Sequence, residues 1–183
     1  MTKKPISRFQ VPDINSLPED IREKILAVQQ KSGFIPNVFL VLANRPDEFR
    51  AFFSYHDALL DSQHGQLTKA DKEMIIVTTS ALNDCQYCII AHGAILRIRA
   101  KNPMIADQVA VNYLKADLEP RQKAMLDFAC RVAEHSSEVS DSDIQAVLDA
   151  GFDQNDVWDI MAITAFFAMS NRIANVASIR PNP

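Results

Sequence analysis

No stretch of this chain concentrates lysine and arginine. Its 183 residues carry 19 Lys and Arg against 23 Asp and Glu, a net charge of −4. That balance lacks the basic stripe that would engage a nucleic-acid polyanion, and no nucleic-acid partner is expected. Long apolar runs are missing as well. The longest, Val157 to Met169, is interrupted by Asp159 and is too short to span a bilayer, so no membrane partner is expected. Lys3 and Lys4 are not followed by the apolar core of a secretion leader, which makes the cytoplasm the expected location. Cysteine is scarce and odd in number, three in all. In a reducing compartment a pair spaced C-x-x-C is more often catalytic or metal-binding than a structural staple.

What remains is an ordinary globular composition, 48% apolar and 23% charged, with enough chain for one domain and a sizeable core. Residues 1–16 hold Pro, Asp and Ser with little periodicity and read as an extended N-terminal arm. Residues 17–183 read as a single all-helical domain of about eight to ten helices, with no convincing strand. Helix starts are marked by Pro18 with Glu19 and Asp20, by Asn44 to Pro46, by Thr68 with Asp71, and by Glu119-Pro120. Ser140 with Asp143 and Asp153 with Asp156 repeat the capping pattern. Ser32-Gly33, His64-Gly65 and Gly151 are stops.

The chemistry is concentrated between Glu73 and His92, E-M-I-I-V-T-T-S-A-L-N-D-C-Q-Y-C-I-I-A-H. The first half is rich in β-branched residues, but the Thr68 cap and the apolar positions continuing to Leu82 favour a buried helix. Asn83 and Asp84 offer an N-cap to the next helix, which runs to about Ala100. In that helix Cys85, Cys88 and His92 stand at i, i+3 and i+7, on one face. A helix N-terminus lowers a thiol pKa, a second thiol donates to the thiolate, and His92 can take or relay a proton. Glu73 can orient His92 or act as a base. Once one sulfur is oxidised, the other lies close enough to form an intrahelical disulfide, which constrains little and is easily reduced.

At these residues the sequence resembles the alkylhydroperoxidase D-like / carboxymuconolactone decarboxylase-like superfamily, and within it the peroxidase-related branch. The pattern is Glu73, then Cys85-Gln86-Tyr87-Cys88, then His92. The likeness extends from about Ile6 to Arg180, taking in Ile35-Pro36-Asn37 and the Asn171-Arg172 step. The resemblance implies an all-α bundle that assembles into dimers, trimers or hexamers. It also implies reduction of hydrogen peroxide or organic hydroperoxides, with Cys88 attacking, Cys85 resolving, and Glu73 and His92 relaying protons. A dithiol reductant is the implied partner; no organic cofactor or metal is. One position departs from the pattern: Tyr87 stands where the best-studied branch carries a second histidine, and a phenol with a pKa near ~10 relays protons poorly at neutral pH.

Rival readings carry their own signatures. A zinc ion held by Cys85, Cys88, His92 and Glu73 has acceptable ligands, but the i, i+3, i+7 spacing spreads them along about 10 Å of helix. A Glu73/His92 acid–base enzyme acting on a small carbon acid or lactone needs neither sulfur. A redox sensor forms the disulfide without turnover. His56 reads as a core-edge histidine, Cys130 as a buried structural thiol, and Asp127 with Arg131 as a solvated helix pair. The run from Val157 to Met169, apolar all round, reads as a core helix with one face turned to a second subunit.

Overall fold

The computed structural model describes residues 4–182. Among these there is no strand. The nine α-helices are α1 (Glu19–Ser32), α2 (Asn37–Leu42), α3 (Pro46–Leu60), α4 (Lys69–Leu82), α5 (Gln86–Ala100), α6 (Ile105–Asn112), α7 (Pro120–His135), α8 (Asp141–Asp149) and α9 (Gln154–Ala177). The all-α class expected from the sequence is the class found.

The caps explain the boundaries. Thr68–Asp71, Ser140–Asp143 and Asp153–Asp156 each close a reciprocal capping box, and Glu119 does the same with Gln122. Asp156 does a second job. Its carboxylate, fully buried, also accepts from the backbone N–H groups of Gln66 and Leu67 at 2.6 and 2.9 Å. The loop entering α4 is thereby tied to the first turn of α9. Gly65 is required there, because a Cβ would overlap the Asp156 carboxylate at 2.2 Å.

α4 is the central helix. Every residue from Asp71 to Ser80 is buried, and α5, α6, α7 and α9 all pack on it. The main core joins Met74 to Val77 with Leu96, Met125, Leu126, Phe128, Ile160, Ile163 and Phe167. A helix covered on all sides explains why this run carries no polar stripe. Its one buried cation, Lys72, caps the end of α3. The Nζ donates to the carbonyls of Leu59 (2.9 Å) and Ser62 (2.8 Å) and lies 3.8 Å from the Asp159 carboxylate.

α9 is longer than the apolar run suggested. Asn171 does not break it, because its amide is satisfied inside the fold by Ser80 and Asn83. The resulting 24-residue helix is long and apolar enough to cross a membrane by length and composition alone. Over half of its most apolar window is buried, as expected of a core helix. The expected Asp127–Arg131 pair does not form. Asp127 accepts from the Tyr113 hydroxyl and Arg131 reaches Glu138.

The N-terminal segment lies on the end of α9. Arg8 N–H and Ser7 Oγ both donate to the Ala177 carbonyl, and Arg180 N–H donates to Ile6. Asn37 holds the other terminus. Its Nδ2 donates to the Arg180 carbonyl at 2.7 Å, and its N–H donates to the Asn182 side chain. That is the work of the asparagine in Ile35-Pro36-Asn37.

Candidate active site

The turn between α4 and α5 positions the sulfurs. Asp84 takes a left-handed conformation, φ +50°. Its N–H bonds the Ala81 carbonyl and the Cys85 N–H bonds the Ser80 carbonyl, at 3.0 and 2.9 Å. This pair of bonds is a Schellman C-cap, which satisfies carbonyls α4 would otherwise leave orphaned. The consequence corrects the sequence reading. Asn83 caps the C-terminus of α4, and Cys85 itself is the N-cap of α5, with Cys88 in its first turn. Two α9 side chains clamp the turn: Asn171 accepts from the Asn83 amide, and Asn175 donates to the Asn83 carbonyl.

Both thiols are free and buried, Cys85 completely and Cys88 to within 3%. They pack among Val41, Tyr87, Ala174, Ala177 and Ile179. The Cys88 thiol donates to Cys85 and is the largest influence pulling the Cys85 pKa down to about 7, against the cost of burial; the Cys88 N–H, the Asn171 amide and the charge of His92 add to it. Cys88 moves the opposite way, raised by its bond to Cys85 and by burial. The resting pair therefore shares one proton, held on Cys88, with the thiolate favoured on Cys85.

A turn away, Glu73 of α4 meets His92 of α5. Oε2 lies 2.8 Å from Nδ1, and both side chains are mostly buried. A carboxylate at Nδ1 holds the proton on that atom in the neutral ring and leaves Nε2 basic. Phe167 of α9 braces the imidazole edge-on, with centroids 4.9 Å apart. Glu73 and His92 line a cavity of about 210 Å³ with His56, Asp57, Lys72 and Leu60 and with the exposed Asp61, Lys69 and Arg99.

The structure thus brings the four predicted residues together as two pairs, a thiol pair and an acid–base pair. Neither sulfur lines the cavity. Tyr87 faces the thiol side, where its hydroxyl accepts from the Val38 N–H at 3.2 Å, and burial pushes its pKa up to about 12. Its job there is to hold α2. Among the described residues no three His, Cys, Asp or Glu side chains converge as a metal-holding group. Cys130 is buried beside Tyr113, its pKa pushed up to about 12 chiefly by burial.

Two residues named in the sequence, but given no role at the site there, lie beside these pairs. Asn171 touches the α4–α5 turn and acts on both thiols. An amide directly after a long apolar run was the available signal. His56, read as a core-edge residue, lines the cavity opposite Glu73 and His92. No spacing along the chain links α3 to the C-x-x-C hairpin.

The architecture and this hairpin define a class that comparison with known proteins identifies. The carboxymuconolactone decarboxylase family model matches residues 46–106, a span that contains all four residues of the two pairs. A peroxidase-related protein from Ralstonia eutropha JMP134, described as an alkylhydroperoxidase AhpD core, is 62% identical, with a TM-score of 0.97 over 98% of this chain and 94% of that one. A peroxidase-related protein from Silicibacter sp. TM1040 is 34% identical, with a TM-score of 0.92 over 100% and 95%. The putative antioxidant defence protein AhpD ATU0492 from Agrobacterium tumefaciens shares the fold alone, at 16% identity and a TM-score of 0.70 over 78% and 96%. No protein of curated function matches. The chain belongs to the alkylhydroperoxidase D-like / carboxymuconolactone decarboxylase-like superfamily.

Proposed function

We propose that the protein is a thiol-dependent peroxidase that reduces hydrogen peroxide or small organic hydroperoxides through a Cys85–Cys88 dithiol/disulfide cycle. The single observation that carries this reading is a free, buried C-x-x-C pair on the same hairpin as a carboxylate–imidazole dyad. His92 takes the proton from Cys88. The Cys88 thiolate, the more basic and hence more nucleophilic of the two, attacks the distal peroxide oxygen. The O–O bond breaks, Cys88 becomes a sulfenic acid, and the departing alkoxide or hydroxide recovers the proton from His92. Cys85, already thiolate-like, displaces hydroxide from Cys88 and closes the disulfide, and the hydroxide takes a proton from solvent to leave as water. A dithiol reductant returns two electrons and two protons, expelling Cys85, the better leaving group. Cys88 also keeps the residual exposure that Cys85 lacks, which supports this order.

The test is a thiol count before and after one equivalent of peroxide, with peptide mapping. Two thiols are lost, a Cys85–Cys88 linked peptide appears, and Cys130 stays free. If both cysteines survive the oxidant, the proposal falls. Stoichiometric disulfide formation without peroxide turnover in dithiothreitol or dihydrolipoamide makes the protein a sensor instead. We further propose that it works in the cytoplasm as a homo-oligomer, a dimer, trimer or hexamer. Exposed Trp158, Met169, Ile173 and Val176 along α9 support an intersubunit face; light scattering of the purified chain checks it.

A second reading has its own observation. The cavity is lined by Glu73, His92 and His56 and by neither sulfur. An acid–base enzyme acting on a small carbon acid or lactone needs that arrangement and no thiol. Turnover of such a substrate by the C85S/C88S double variant would establish it, and no turnover would remove it.

A further inference from the structure

We propose that His56, oriented by Asp57, passes protons between the Glu73–His92 pair and solvent across the cavity. The inference rests on the relay assigned above, but it concerns a residue from a different helix. Two carboxylate–imidazole dyads line one cavity. In the first, Glu73 Oε2 meets His92 Nδ1 at 2.8 Å; in the second, Asp57 Oδ1 meets His56 Nδ1 at 2.9 Å. The carboxylate in each fixes the proton on Nδ1, so each neutral ring offers a basic Nε2.

The two rings share a brace. Phe167 packs edge-on to both, with centroid distances of 4.9 Å to His92 and 6.3 Å to His56. Phe166 and Phe53 hold His56 from two further sides, at 6.0 Å each. A histidine needed only for packing among three phenylalanines would be better served by a fourth aromatic. Asp57 is anchored in turn by Lys24 at 2.6 Å, so the second dyad is held from α1 as well as α3.

Burial lowers the pKa of His56, the nearby His92 adds to this, and Asp57 and Glu73 oppose it. The ring is therefore neutral at pH 7, free to accept a proton and return it. A cavity of about 210 Å³ has room for several waters between the dyads. The relay then runs from His92 through cavity water to His56 Nε2 and out past Lys69 and Arg99. His56 touches no sulfur; it is a positioning residue for protons, acting through His92.

The test uses the full chain. The gain and loss of the proton at His92 Nε2 is followed by 15N NMR relaxation dispersion, and this exchange with water is measured in wild type, H56F and H56Q. Phenylalanine keeps the ring packing, and glutamine keeps a polar partner for Asp57; neither passes a proton. Exchange slows about tenfold or more in both variants and recovers when imidazole is added. Exchange that is unchanged, or slowed but not restored by imidazole, overturns the inference, as does failure of both variants to fold. Peroxide-driven disulfide formation in the same wild-type sample judges the thiol cycle separately. Its absence there removes the peroxidase reading while the exchange rates still decide the role of His56.

Discussion

The two halves of the site share one helical hairpin and face different environments. The sulfurs sit in a closed apolar pocket, under the ends of α2 and α9 and the terminal segments. The carboxylate–imidazole pair sits against a cavity whose lining includes the exposed charged residues Asp61, Lys69 and Arg99. The contrast follows from chemistry. A thiolate in a buried pocket is stabilised by fixed donors, here Cys88 and Asn171. A proton relay must stay in exchange with water, which a closed pocket prevents. α4 and α5 carry one residue pair into each environment.

The sharpest way to break the comparison is to remove one sulfur. C85S and C88S should each lower dithiol-dependent peroxide turnover by about 10³-fold or more, to background, while leaving Glu73 and His92 in place. A stopped-flow peroxide assay reads this, and retention of substantial turnover would place the chemistry on the cavity side. K72M attacks the scaffold under the cavity. It strips the end of α3 of a buried donor and leaves the buried Asp159 carboxylate with the Ser62 hydroxyl but no cation, costing about 3–5 kcal/mol and lowering the melting temperature by roughly 10 °C. Calorimetry checks it.

E73Q separates the halves. Turnover should fall about 10²-fold as His92 loses its carboxylate, while diamide still closes the disulfide. If diamide closure is lost too, the pairs are not separable. Y87F tests the thiol side for a relay role. It should cost about 1 kcal/mol, from the unpaired Val38 N–H, and leave turnover unchanged. The smallest effect is a pH dependence of stability. The unfolded chain binds a proton on His56 near its ordinary value of 6.5, and the folded chain only at lower pH. Stability from this group is therefore complete above pH 6.5 and is lost as pH falls below it. Urea midpoints at pH 7.5 and 5.5 should differ less in H56F than in wild type.

Much of the fold was legible because local signals agreed. The boxes at Thr68, Ser140 and Asp153 are complete within four residues of chain, so spacing alone announces them. The α4–α5 turn was less legible. Asn and Asp are good N-caps, but here a left-handed Asp84 completes the cap of α4 first and pushes the start of α5 to Gln86. At α9, the continuation through Asn171 was not legible, because an unpaired buried amide would be costly. Ser80 and Asn83, about ninety residues away, remove that cost. His56 sits at the core edge as expected, but its place on the cavity was not legible, because its neighbours on α5 and α9 are distant in sequence.

By itself the sequence determined the helical class and most of its boundaries. It also determined the grouping of Glu73, Cys85, Cys88 and His92, since periodicity and capping act within a turn or two of chain. Only the tertiary structure decided that the four residues divide into a buried thiol pair and a cavity-facing acid–base pair, and that Asn171 and His56 join them. Those assignments depend on which helices close over each side of α4 and α5. Such long-range packing is set by the burial of surfaces that no local pattern encodes.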